Sequence, residues 1–289
     1  MKTTFGFLAF IPSLFFGLEL HLFELRDTLK IQTQNNLNLV RMLFASKEDE
    51  ERSGLAASFN YSKESSHTNY GGSLSLFTKF EDDDCVLLPY LTYNYSQLRA
   101  QSKRLSSNKI GAGVKSIIHT DLLSLFSGIG LGGSFNDSEE SKRYSYLFAD
   151  AQLGLGKRFD FFDDALIISP LSYLEYDYLY QDLKQFSQTQ HLHSLALLLG
   201  MQFDLGLVRS DDFMISLSCF GFYKHLFLGE KLQDDAPLAQ SISRAKDLGY
   251  AGVGLSWRSK HFFLDLDVSA EFKKTIHSLQ TLARIGIEF

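Results

Sequence analysis

From residue 54 to the C-terminus, apolar and polar side chains alternate along the chain, and that alternation returns twelve times. A repeat of two is the period of a β-strand, in which successive side chains point to opposite faces. The segments fall near 54–62, 72–80, 85–97, 107–118, 122–136, 144–159, 165–180, 191–206, 212–225, 247–257, 261–272 and 277–289. Most reach or exceed the roughly 9 to 11 residues that a tilted strand needs to cross a bilayer. Strands of a soluble sandwich run to about five or six. The fold class this predicts is an all-β transmembrane barrel of twelve antiparallel strands.

The two faces separate well. Leu147, Ala149, Ala151, Leu153 and Leu155 alternate with Phe148, Asp150, Gln152, Gly154 and Gly156; Leu264, Leu266 and Val268 alternate with Asp265, Asp267 and Ser269. Pattern alone leaves open which face is outermost, since a soluble ligand-carrying barrel turns its apolar face inward. Strand length favours hydrocarbon outside. Connections alternate in the same sense. If the first strand rises from the periplasm, the periplasmic links are short: Glu81–Asp84, His119–Thr120, Asp160–Asp164, Leu207–Asp211 and Arg258–Lys260. The expected outer links, 63–71, 98–106, 137–143, 181–190, 226–246 and 273–276, are longer except for the last.

Composition agrees. Apolar residues make up 45% of the chain, with 26 Phe and 13 Tyr, yet charged residues reach 21% and mean hydropathy is only -0.07. Helical membrane proteins need long apolar runs, whereas membrane strands average to near-neutral hydropathy. A net charge of -6 offers no basic footprint for nucleic acid. Cys85 and Cys219 are too few for a disulfide framework and fit no zinc spacing. The stretch KIGAGVKS, Lys109–Ser116, resembles a phosphate loop but has the wrong spacing and reads as strand, so no cofactor is expected. His191 and His193 share a face and read as girdle residues rather than metal ligands. No Ser/His/Asn constellation of a phospholipase stands out.

Ahead of the strands the period changes. Residues 18–45 contain neither Gly nor Pro, and Leu18, Leu22, Leu25, Leu29, Asn36, Leu39 and Leu43 keep helical steps. One long helix is expected, with 46–53 as lead-in. Its middle, Gln32–Asn38, is polar on every side, which suits a wet channel better than a dry core. Residues 1–17 have one early Lys and an apolar stretch, and read as a signal peptide or a precursor remnant. Residues 54–289 form the barrel. Glycines such as Gly128, Gly130, Gly154, Gly200 and Gly254 lie mostly on the polar face; they either make room for a helix in the bore or relieve bending in a curved sheet.

The ending HSLQTLARIGIEF places Ile285, Ile287 and Phe289 on one face. It resembles the signal read by the barrel-assembly machinery in outer-membrane proteins. Together with DLGYAGVGLSWRSKHFFLDLDVSAEFKK from Asp247, it resembles the last three strands of autotransporter translocator domains. In that family a helix in the pore of a twelve-stranded barrel leads to an exported passenger. The resemblance therefore implies an outer-membrane location, bilayer lipid as surroundings, and a passenger supplied by a longer precursor, because only seventeen residues precede the helix. A barrel that keeps the helix without cargo, working as a small porin-like channel or surface adhesin, is the alternative. Turnover catalysis is not expected.

Within the helix, QNNLNLVRM resembles the linker of the self-cleaving branch of that family. There an asparagine attacks its own backbone carbonyl through the side-chain nitrogen. Carried over, Asn35 would be the nucleophile and Asn36 the residue after the cut. An amide nitrogen is a poor nucleophile and needs a positioned acid-base group. Asp150, Glu175, Asp177, Asp265 and Asp267 are the inward-facing candidates.

Overall fold

A computed structural model describes residues 52–288 apart from 65–67, 83, 101–102, 139–143, 163–164, 184–187, 211, 229–246 and 273–275. The expected helix over 18–45 and the segment 1–17 lie outside the described residues.

The chain forms β1 (Arg52–Glu64), β2 (Thr68–Asp82), β3 (Cys85–Ala100), β4 (Lys103–His119), β5 (Ser124–Ser138), β6 (Tyr144–Gly156), β7 (Phe159–Phe161), β8 (Leu166–Leu183), β9 (Gln188–Arg209), β10 (Phe213–Leu228), β11 (Asp247–Ser259), β12 (Phe262–Phe272) and β13 (Ile276–Glu288). They make twelve staves of one cylinder, with β6 and β7 in line on the same stave. Each stave pairs antiparallel with the next in sequence, β6 with β8 directly, and β1 closes the ring by pairing with β13 from Gly54↔Glu288 to Glu64↔Ser278. Closure gives each stave a partner on both sides, leaving only the short β7 stretch paired on one side alone, and so removes the long open edges that promote aggregation. Twelve antiparallel strands were expected and twelve close the barrel.

Strand β7 continues the β6 stave against β8 in unbroken register, Gly156↔Leu171 being followed by Phe159↔Ile168 and Phe161↔Leu166, and leads into a turn in which Phe162 takes a φ of 54°, a region costly for a residue carrying a Cβ. Ala165 N–H donates to the Phe162 carbonyl at 3.2 Å. The sixth strand, expected over 144–159, thus runs that far, with only Lys157 and Arg158 interrupting it.

Both ends of the described chain lie at one end of the barrel, the near end. Its links are tight: Thr120 closes one with its N–H and hydroxyl both donating to the Leu123 carbonyl, and Ser210 N–H donates to the Phe213 carbonyl at 2.9 Å. At the far end the strands run further than alternation suggested. β4 begins at Lys103 and β9 at Gln188, so most of the expected outer loops become paired strand, and only 229–246 remains long.

The direction of the faces is resolved. Ile129, Leu131, Leu147 and Leu153 are each 60% or more exposed on the outer surface, whereas Asp150, Gln152, Glu175 and Asp177 line the bore and are buried. This is the inverse of a soluble carrier barrel. The bore is not uniformly polar, however. Phe77, Phe126, Leu198, Phe222, Tyr250 and Phe263 belong to a buried apolar cluster on the inner face. Their places depend on the glycines. A methyl at Gly54 would run into Phe77, at Gly154 into Phe126, at Gly200 into Phe222, and at Gly286 into Phe263. Inward glycines thus receive a ring from the neighbouring strand, laid along the wall, so neither expectation for them was complete.

Candidate functional site: the charged inner wall

The seam between β6 and β8 sets four polar side chains in two rungs. Asp150 is the register partner of Asp177, and Gln152 of Glu175; all four point inward and are 7% exposed or less. Like charges directly opposite repel, so the seam needs cations. Two lysines supply them from either side.

Lys115 comes from β4, two strands away. Its Nζ donates to Gln152 Oε1 at 2.5 Å and lies 3.6 Å from Asp150 Oδ2. The strand it crosses has Gly128 between Lys115 and Gln152 in register, and any side chain there would collide with the lysine's aliphatic stem. Gly130 leaves similar room for the Asp150 carboxylate and the Tyr90 hydroxyl. From the other side, Lys224 of β10 reaches over β9 to Glu175, Nζ to Oε2 2.7 Å. The β9 partner of Glu175 is Ala196, again small.

Asp150 and Glu175 are each bridged to a lysine across an intervening strand. Two neighbouring groups are incompletely used. Gln152 Nε2 and Tyr173 Oη are buried with no hydrogen-bond partner among the described residues, and Tyr173 is only 1% exposed. A buried donor left unmade costs about 1–3 kcal/mol, so a wall of this kind is suited to face an occupant or ordered water.

Asp265 and Asp267 stand apart on β12, four strands round from β8. Asp265 accepts from Arg284 Nε at 3.0 Å and from Ser256 Oγ at 2.6 Å, and the Arg284 guanidinium lies 5.5 Å from the Phe263 ring. Asp267 packs where Gly254 leaves space beside Ser218. The five acidic candidates accordingly divide into two groups on different sides of the bore.

Lys115 and Lys224 were missed in the sequence because each acts across an intervening strand, which alternation within one strand does not reveal. Asn35 and Asn36 lie outside the described residues, as does Phe289. Ile285 and Ile287 face outward on the closing strand, opposite Ala57 and Leu55. Near the far end, His193 Nδ1 and the Tyr176 hydroxyl are 2.7 Å apart, an exposed pair that fits the girdle reading; the side chain of His191 lies outside those described.

The arrangement of strands matches solved translocator domains. The translocator domain of the autotransporter NalP from Neisseria meningitidis superposes with a TM-score of 0.66 at 11% identity, over 90% of this chain and 95% of that one. The beta domain of the Bordetella autotransporter BrkA gives 0.59 at 11% identity, over 83% and 99%. The transport unit of AIDA-I from Escherichia coli gives 0.51 at 12% identity, over 88% and 96%. No family model matches the sequence, and no curated protein matches it. At these identities the likeness is one of fold.

Proposed function

We propose that this chain, which shares the twelve-stranded fold of autotransporter translocator domains, is the outer-membrane anchor and export pore for a passenger carried on a longer precursor. In this reading the apolar exterior contacts lipid, the near end faces the periplasm, and the segment 18–45 lies in the bore with its N-terminal end towards the cell surface. The observation that carries the reading is the inner wall at the β6–β8 seam: buried ion pairs with unmet donors, on a cylinder whose exterior is greasy. Water-filled bores and occupied bores differ in conductance, so planar-bilayer recordings with and without residues 1–45 test it. Large channels only after deletion support an occupied pore; equal conductance supports the small-channel alternative, for which the long connection 229–246 is the surface element.

The family resemblance of QNNLNLVRM further suggests a single cut between Asn35 and Asn36, with Asn35 as nucleophile. Asn35→Asp would then leave the longer helix attached, read by intact mass. A wild-type chain never shortened at this bond ends the idea. Ile285, Ile287 and Phe289 are assigned to recognition by the assembly machinery.

A further inference from the structure

At the far end the outer surface of β1 to β4 changes character one rung at a time. A single rung runs through Lys63↔Thr68, Thr68↔Arg99 and Arg99↔Arg104. Its side chains share the outward parity of Phe59, Leu74, Tyr95 and Ile110 on the same four strands, and Lys63, Arg99 and Arg104 are exposed. The next rung towards the near end is Tyr61, Tyr70, Gln97 and Ser106, and three rungs below that stand Leu55, Leu76, Leu91 and Ala112. Cations, then polar rings and amides, then hydrocarbon is the order of layers met on passing from lipid headgroups to acyl chains.

Arg99 and Arg104 stand directly opposite each other, where like charges repel. Among the described residues no ion pair joins either of them, or Lys63, to a carboxylate. Asp137, outward on the neighbouring β5, is the partner of Ser106, one rung lower. The Arg99 guanidinium is nonetheless held in place: Nη2 donates to the Tyr70 hydroxyl at 2.8 Å and to Gln97 Oε1 at 3.4 Å, and the group lies 5.1 Å from the centre of the Tyr70 ring. A fork fixed from below by the girdle keeps its other N–H groups for an anion. The charge is also one-sided. At this end β8–β11 turn out Tyr176, His193, Tyr223, His225 and Asp247 and, among the described residues, no Lys or Arg.

We infer that this rung binds the phosphates of a membrane lipid headgroup, with Arg99 and Arg104 clamping one phosphate and Lys63 and the Thr68 hydroxyl donating to a second. This rests on the reading that the greasy exterior lies in a bilayer with the far end at the cell surface. Neighbouring strands are about 4.8 Å apart, so Lys63 and Arg104 are separated by about 14 Å along the rung, room for more than one phosphate. A free anion gains only the attraction of exposed, salt-screened charges. A lipid phosphate is brought to this height by its own acyl chains, which lie along Leu55, Leu76 and Leu91.

The test is a thermal unfolding titration of the full chain in neutral detergent micelles, because a ligand that binds only the folded state raises the midpoint. The probes are bisphosphorylated lipid A, the same lipid stripped of both phosphates, and sodium phosphate. Lipid A should raise the midpoint and the other two should not. Arg99→Gln with Arg104→Gln should need about tenfold more lipid A for half the rise, and Lys63→Gln about threefold more. Arg209→Gln with Lys260→Gln, which removes the same charge from exposed positions at the near end, should behave as the wild type. If the arginine double variant does not fold, Lys63→Gln alone decides. An unchanged half-point in the variants, an equal rise with the stripped lipid, or sodium phosphate reproducing the rise overturns the lipid site. A wild type that enters vesicles yet ignores lipid A loses only this site, whereas one that stays in solution without detergent overturns the bilayer reading with it.

Discussion

Lys224 on β10 bonds Glu175 on β8 across a whole intervening strand, with both side chains 2% exposed or less and 2.7 Å between Nζ and Oε2. Removing one partner of such a pair strands the other as an uncompensated buried charge. Lys224→Met should therefore destabilise the barrel by about 3 kcal/mol, lowering the temperature at which unboiled samples lose their compact gel band. Lys224→Met with Glu175→Gln should recover most of that loss. If the single variant is as stable as the wild type, the pair does not hold β8 to β10.

Exposed position 153 distinguishes a lipid-facing wall from a wet one. Leu153 is 63% exposed on the exterior, and an arginine there should cost about 2–4 kcal/mol if it sits near mid-bilayer. Folding into lipid vesicles measured against urea would show it. An unchanged midpoint would mean that water, not hydrocarbon, bathes this face.

Gly200 is shaped by its neighbour on β10. A methyl there meets the Phe222 ring and stands 2.5 Å from the Gly221 carbonyl oxygen. Gly200→Ala should cost about 1–3 kcal/mol, and adding Phe222→Leu should relieve only the part owed to the ring. The same urea titration separates the two contributions; full relief by Phe222→Leu would show that the backbone contact is unimportant.

The closing strand carries the proposed assembly signal. Ile287 pairs with Leu55 and points outward, and Ile287→Lys should reduce the amount of barrel reaching the outer membrane severalfold in cells while spontaneous folding into detergent micelles changes much less. Equal losses in both settings would argue for a purely structural part.

Much of this architecture was readable one strand at a time. Alternation over Leu147–Gly156 located both walls of β6 before any coordinate, because lipid and lumen make opposite demands on adjacent positions. It failed where those demands cease. Thr68–Tyr70 and Lys103–Ser106 show no run of alternation, Leu105 being the one aliphatic residue among them, so the strands they extend seemed to be loops, yet backbone pairing continues through them. The inner aromatic cluster was hidden for another reason. Phe222 and Gly200 are 22 positions apart, and their fit exists only once β9 and β10 are in register. The acidic candidates were found as individuals, but their division into a seam of three and a separate pair on β12 depends on the order of the staves.

The seam between β1 and β13 joins the earliest described strand to the last, so the cylinder stays an open trough until the final residues have been made and brought round. If the segment ahead of Arg52 occupies the bore as proposed, it has two routes there: it is already lying in the trough when the wall shuts, or it is drawn through a finished hole. Sealing and threading, in whichever order, therefore both turn on the meeting of these two strands.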